Sequence, residues 1–423
     1  MKSKLIRITT VPLSLSKLLK GQMRFMSQHY DVIGVSSDGK TLQEVSEYER
    51  IEVKAIEMTR KITLLKDLRS LWQMIWFLRK EKPLIVHTHT PKAGIIGMMA
   101  AWFVRVPIRL HTVAGLPLME ANGNKRKLLN FVEKLTYAFA NHVYPNSRGL
   151  EKFILENKFC KKEKLKVIGN GSSNGIDTTH FHPSIISEEE KQALRKELNI
   201  APDDFVFIFI GRMVKDKGVN ELISAFGKLE VGSTKHEVEK PHAVSGVETS
   251  RAASIKDSSK FTEKVDRRTL SPLAGEPEGG LKTKNCKLLL VGPFEENLDP
   301  ILPETKRAID ENPNIIHVGY QDDVRSYFAI SDCLVFPSYR EGFPNVVMQA
   351  GAMGLPSIVT DINGCNEIII DGENGVIIPP KDENALFEKM RFFLENPNDV
   401  QKMASVSREM ITSRYEQEVV WEA

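Results

Sequence analysis

Cysteine is scarce in this chain: Cys160, Cys286, Cys333 and Cys365 are the only four among 423 residues, and none falls in Cys-x-x-Cys spacing. That scatter argues against a disulfide framework or a cysteine zinc site and points to a reducing, cytoplasmic compartment. Long hydrophobic runs are also missing. The longest, 93–104, contains two glycines and falls short of the ~20 residues of a membrane-spanning helix. The first ten residues are basic but lack an apolar core and a cleavage site, so no secretory leader is expected. No isolated Asp-x-Asp triad follows an apolar run. Asp203-Asp204 and Asp322-Asp323 sit where turns and helix starts are expected, so no metal site is expected. Net charge is only +3, yet residues 1–200 hold 33 Lys and Arg against 19 Asp and Glu, and the remainder 25 against 36. The first half therefore suits an anionic partner. Its basic residues are dispersed and accompany no nucleic-acid motif, so a membrane surface or a lipid diphosphate fits better than nucleic acid.

Strand-length apolar runs alternate with helical periodicity. Strands read at 4–11, 30–36, 84–88, 108–111 and 142–145, and helices at 64–80, 93–104, 125–140 and 147–156. The pattern restarts after a charged helix at 187–198. Strands then read at 205–210, 287–291, 315–318, 333–337 and 356–360, with helices at 220–229, 303–311, 324–331 and 346–354. Such alternation predicts an α/β chain with two parallel, doubly wound sheets. The expected division is a first domain over 1–183, a second over 184–400 and a terminal helix over 401–423. Apolar patterning stops over 231–285, where a loop of ~2–6 residues is usual, and the polar composition reads as a disordered surface insertion. The helix at 64–80 carries Trp72, Trp76 and Phe77, which suit either core packing or a membrane surface.

Chemistry concentrates at 336–367. A buried strand runs into Glu341-Gly342-Phe343-Pro344-Asn345 and then a helix. Gly342 permits a tight turn, Pro344 suits a first helical turn, and the unpaired amides of a helix start hold anions. A carboxylate repels phosphate, so Glu341 makes sense beside such a site only if the ligand also carries hydroxyls. A nucleoside diphosphate sugar has both. After the strand at 205–210, Gly211 and two cations five residues apart, Arg212 and Lys217, can neutralise a diphosphate. His111 ends a first-half strand. His89 and Lys92 follow another, and Lys17 and Lys20 lie beyond the first.

The run from Glu341 to Ala350 closely resembles the glycosyltransferase family 4 signature Glu-Gly-Phe-Pro-x-x-x-x-Glu-Ala, with Gln349 replacing the second Glu. The resemblance implies the GT-B fold, two Rossmann-like domains facing a cleft, with the terminal helix crossing back to the first domain. It implies a retaining, metal-independent transferase without cofactor, using a nucleoside diphosphate sugar, UDP foremost. Arg212 and Lys217 match the family's diphosphate ligands, and His111 its cleft histidine on sugar and phosphate. Glu341 matches the sugar ligand and Gln349 the ribose ligand. Gly342, Phe343, Pro344, Asn345 and Glu367 resemble the donor-binding turns. An amide in place of the second carboxylate should weaken ribose binding more than turnover. The family's glycine pair after the first strand is absent, which leaves Lys17, Lys20, His89 and Lys92 as candidate acceptor ligands. The expected acceptor is a lipid-linked glycan at the inner membrane face, in capsule or O-antigen assembly, with peripheral membrane contact. Two alternatives stay open: an epimerase acting on the donor alone, and a catalytically silent sugar-nucleotide-binding partner protein.

Overall fold

The computed structural model describes residues 2–59, 63–116, 118, 121–235, 285–295 and 299–423. Most of the expected insertion at 231–285 lies outside the described residues. Strands β1 (Lys4–Ile8), β2 (Asp31–Ser36), β3 (Glu52–Ala55), β4 (Ile85–Thr88), β5 (Ile108–Val113) and β6 (His142–Pro145) form one sheet in the order β3-β2-β1-β4-β5-β6. Strands β7 (Phe205–Ile210), β8 (Cys286–Val291), β9 (Ile315–His317), β10 (Cys333–Phe336), β11 (Ser357–Thr360) and β12 (Gly375–Ile378) form the other, ordered β12-β11-β10-β7-β8-β9. Every pairing is parallel. Counted within each half, both orders are the doubly wound 3-2-1-4-5-6 pattern, so the two Rossmann-like lobes expected from the sequence are met. Helices cover both faces of such a sheet, which is why Phe205–Ile210 reads as an unbroken apolar run.

Ligands of doubly wound sheets bind beyond the strand C-termini where the order reverses. In the first lobe that crevice lies between β1 and β4, and in the second between β7 and β10. These ends carry His89 and Arg212 with Glu341, so the fold alone directs the sequence-predicted residues toward one place.

Two boundaries differ from expectation. The helix Val219–Lys235 continues into the region read as insertion, because no proline interrupts it and each further residue adds one backbone hydrogen bond. The single terminal helix is two, Pro397–Tyr415 on the second lobe and Gln417–Glu422 on the first. Between them Glu416 is extended, and the linker residue Ile176 takes the local backbone groups: its N–H donates to Tyr415 O at 2.8 Å and its carbonyl accepts from Gln417 N at 3.1 Å. The Trp421 ring then packs on Phe25, and its indole N–H donates to Asn174 at 2.8 Å.

The helix Leu64–Glu81 buries Met74 and Leu78 but leaves Leu65 86% and Trp72 63% exposed. Phe77 packs against the first-lobe core, whereas Leu64, Leu68 and Trp76 face outward with Leu65 and Trp72. Core packing therefore does not account for either tryptophan. Among the described residues no helix is long and apolar enough to cross a membrane.

Candidate active site between the lobes

A cavity of about 340 Å³ opens between the two switch points, lined by His89, His111, Arg212, Lys217, Glu341 and Gly342 among others. The lobes meet at its floor, where a Cβ on Gly342 would overlap the carbonyl oxygen of Ala114, so only glycine permits this approach of the two backbones. Lys217 closes a short 3-10 turn, Lys215–Lys217, ended by Gly218 at φ 70° with its Cα against the Pro337 carbonyl. This turn carries the Lys217 ammonium onto the Glu341 carboxylate, which also accepts from the buried Ser338 hydroxyl at 3.1 Å. Arg212 donates to Glu295 at 2.8 Å, and Arg340 to Asp216 at 3.0 Å. The second-lobe wall thus presents cations already held by carboxylates. An incoming diphosphate would compete with those carboxylates, and a displaced Glu341 would be free to accept from sugar hydroxyls.

On the first-lobe wall His111 is buried, with Nδ1 2.7 Å from the Thr88 hydroxyl. Burial pushes its pKa down from 6.5 to about 4, so the ring is neutral near pH 7. A neutral imidazole there can contact sugar or phosphate oxygens without adding charge.

Two family models match the chain: a glycosyl transferase 4-like domain over 25–171, and glycosyl transferases group 1 over 279–396. The capsular polysaccharide biosynthesis glycosyltransferase CapM of Staphylococcus aureus is 32% identical across 99% of this chain and 95% of its own length. The chain belongs to the group 1 glycosyltransferases. An Escherichia coli relative, named UDP-Gal:alpha-D-GlcNAc-diphosphoundecaprenol alpha-1,3-galactosyltransferase, is 27% identical to this transferase over 90% of the chain and 87% of its own length. Among solved structures, Anabaena HepE in complex with UDP superposes with a TM-score of 0.73 at 16% identity, covering 100% of this chain and 98% of its own. That likeness places the transferase in the GT-B fold.

The remaining sequence-predicted residues lie elsewhere in the transferase. Glu367 is spent between the lobes: its carboxylate accepts from Arg148 N at 2.8 Å and Gly149 N at 3.1 Å, at the start of the helix Arg148–Glu156. Free amides and the helix dipole favour a carboxylate there, and Glu367 does not line the cavity. Neighbouring Asn363 reinforces the same seam, donating to Gly342 O at 2.5 Å and accepting from Ser147 Oγ at 2.7 Å. Phe343 is likewise turned away from the cavity, its ring edge-on to Tyr415 and beside Gly171. Pro344 precedes the helix Asn345–Ala352 as its N-cap, not within its first turn, because its ψ of 112° is extended. Asn345 is exposed and Gln349 half-buried on that helix, and neither lines the cavity. Lys92 is drawn to Asp67 at 2.6 Å, and Lys17 and Lys20 are exposed, with Lys20 over the Tyr48 ring. None of the three lysines lines the cavity.

Among the wall residues that escape the sequence reading are three charged ones, Glu133, Arg340 and the Asp216 that pairs with it. Glu133 lines the cavity from the helix Gly123–Phe139, and its burial raises its pKa from 4.5 to about 7. Its signal is helical register with Tyr137, a carboxylate on an otherwise buried face. Arg340, beside the motif, also lines the cavity.

Two predictions arise here. Glu367→Ala should lower unfolding free energy by about 1 kcal/mol through the lost cap, while UDP affinity stays within about twofold. A calorimetric UDP titration showing an affinity loss of about tenfold or more would restore Glu367 to the donor site. His111 has a depressed folded pKa, so the stability it contributes is present above its ordinary 6.5 and is lost as pH falls from there through about 4. Denaturation in urea across this window should show the wild type losing about 3 kcal/mol relative to His111→Gln. Parallel pH profiles for the two proteins would count against a neutral, buried His111.

Proposed function

We propose that this transferase moves a sugar from a UDP-sugar to a hydroxyl of a lipid-linked diphosphate glycan, with retention of configuration and without a metal ion, in surface polysaccharide synthesis. The observation that carries the proposal is the convergence of Lys217, Glu341 and Arg212 of one lobe with His111 of the other on a single cavity. Arg212 and Lys217 take the diphosphate, Glu341 the sugar hydroxyls, and His111 the sugar and phosphate. Gln349, with Asn345 on the same helix, takes the ribose. The bond from the sugar anomeric carbon to the phosphate oxygen breaks while a bond to the acceptor oxygen forms on the same face. The departing phosphate accepts the acceptor's proton, and Arg212 and Lys217 stabilise its charge.

The lipid-linked acceptor is supported by the name of the Escherichia coli relative, which specifies a diphosphoundecaprenol substrate. Support for peripheral membrane contact comes from the outward leucines and tryptophans of Leu64–Glu81, flanked by the exposed Lys66 and Lys80, a composition suited to an anionic bilayer surface. The expected location is the cytoplasmic membrane face.

The test is incubation with UDP-sugars and a polyprenyl-diphosphate-linked N-acetylglucosamine in EDTA, with the product's anomeric configuration read by NMR. Transfer with the donor's configuration kept is expected. Conversion of the donor without acceptor favours the epimerase alternative, and strict dependence on added Mg²⁺ or Mn²⁺ contradicts the metal-free reading.

A further inference from the structure

Arg7 is the last residue but one of β1, with only 2% of its surface exposed. Its Nε–H donates to Nε2 of His89 at 3.0 Å, and its Nη2 donates to the side-chain oxygen of Gln22. Gln22 in turn donates to the carbonyl of Ser173 in the segment joining the lobes, at 3.2 Å, so the guanidinium is held from both ends.

Arginine offers only donors, so the imidazole nitrogen it meets must be unprotonated. A neutral His89 then carries its hydrogen on Nδ1. Burial and the charges of His87 and Arg7 hold its pKa well below 6.5, which keeps the ring neutral. Nδ1 is buried and has no hydrogen-bond partner among the described residues, yet His89, itself 4% exposed, lines the cavity. An unpaired buried N–H is unfavourable, and an oxygen of a bound molecule would satisfy it. His89 comes from the first lobe, on the wall facing Arg212, Lys217 and Glu341.

We propose that His89 presents Nδ1–H to an oxygen of the acceptor, either a sugar hydroxyl or a diphosphate oxygen, and that Arg7 is the positioning residue that fixes this tautomer. The acceptor's identity rests on the function proposed above, whereas the tautomer rests on the Arg7–His89 contact alone. With Nε2 occupied by Arg7 and Nδ1 already protonated, His89 has no lone pair to offer. It binds the acceptor and does not serve as its base.

Multiple-bond ¹⁵N NMR of histidine-labelled protein reads the tautomer directly, with the His89 signals identified by their loss in His89→Asn. The wild type should show Nδ1–H, and Arg7→Met should shift the ring toward the Nε2–H form. Polyprenyl-diphosphate-linked N-acetylglucosamine should move the Nδ1 resonance, whereas UDP should not. The same lipid diphosphate without its sugar separates the two oxygens: a shift with it points to phosphate, and a shift only with the sugar present points to a hydroxyl. In transfer assays His89→Ala should raise the acceptor KM about tenfold with UDP affinity unchanged, and His89→Asn, whose amide reaches the Nδ1 position, should recover most of the loss. An Nε2–H or doubly protonated ring in the wild type overturns the proposal. So does a resonance moved by UDP instead of acceptor, or equal losses in the Ala and Asn variants. A wild type that shows the Nδ1–H tautomer but neither binds nor uses the acceptor counts against the proposed function.

Discussion

Lys217→Ala should reduce transfer at least about a hundredfold and weaken UDP binding, whereas Glu341→Ala should abolish transfer equally but leave UDP binding unchanged or tighter. The asymmetry follows from their ion pair. Among the described residues Lys217 has one carboxylate partner, and it faces the cavity where a diphosphate fits, so its loss removes charge that the departing phosphate needs. Glu341 repels that diphosphate and competes for the same ammonium. Its removal frees Lys217 while deleting the only carboxylate proposed to hold the sugar hydroxyls, which His111 alone does not replace. Titration calorimetry with UDP, run beside a radiolabelled transfer assay, separates the two effects. If Glu341→Ala weakened UDP as much as Lys217→Ala does, the division of roles between them would be wrong.

Gly342→Ala should cost about a hundredfold in kcat without unfolding either lobe. A methyl at this position overlaps the Ala114 carbonyl, and relief requires the lobes to part by about 1 Å, a displacement that typically costs about 10²-fold when it separates reacting groups. Overpacking of this kind destabilises by about 1–3 kcal/mol, and the two sheets have separate hydrophobic cores, so each lobe stays folded. Gly227 is the control. It lies in the helix Val219–Lys235 with none of the described residues within 4 Å of an added Cβ, so Gly227→Ala should stabilise by about 0.5–1 kcal/mol and leave turnover intact. Stopped-flow turnover and urea denaturation on both variants check this. Normal turnover in Gly342→Ala would show that closure of this seam is not needed for transfer.

Central strands were legible in the sequence because they are buried on both faces and read as apolar runs, as in Phe205–Ile210. The edge strand β3 was not, since Glu-Val-Lys-Ala is largely exposed and carries no apolar signal. The helix Glu383–Glu395 was missed although Leu386, Met390 and Phe393 repeat at helical spacing on its buried face. At the site, Arg212, Lys217, Glu341, Gly342, His111 and His89, singled out by short motifs, line one cavity because each lies in or just beyond the C-terminal part of a strand at or beside a switch point. Glu367 went elsewhere through a contact with a residue 219 positions away, which no local pattern encodes. Lys92 was diverted in the same way, by Asp67 on a neighbouring helix. Arg7 and Glu133 did leave a trace, each a charge within an otherwise buried stretch, but without the tertiary partners that trace does not separate a site residue from a structural one.

Crystallography of the protein soaked with UDP tests the central claim most directly. Density for the diphosphate within hydrogen-bond distance of both Arg212 and Lys217, beyond the C-terminal ends of β7 and β10, is the predicted result. A diphosphate bound away from that crevice, for instance on the exposed lysines of the helix Leu64–Glu81, would contradict the account.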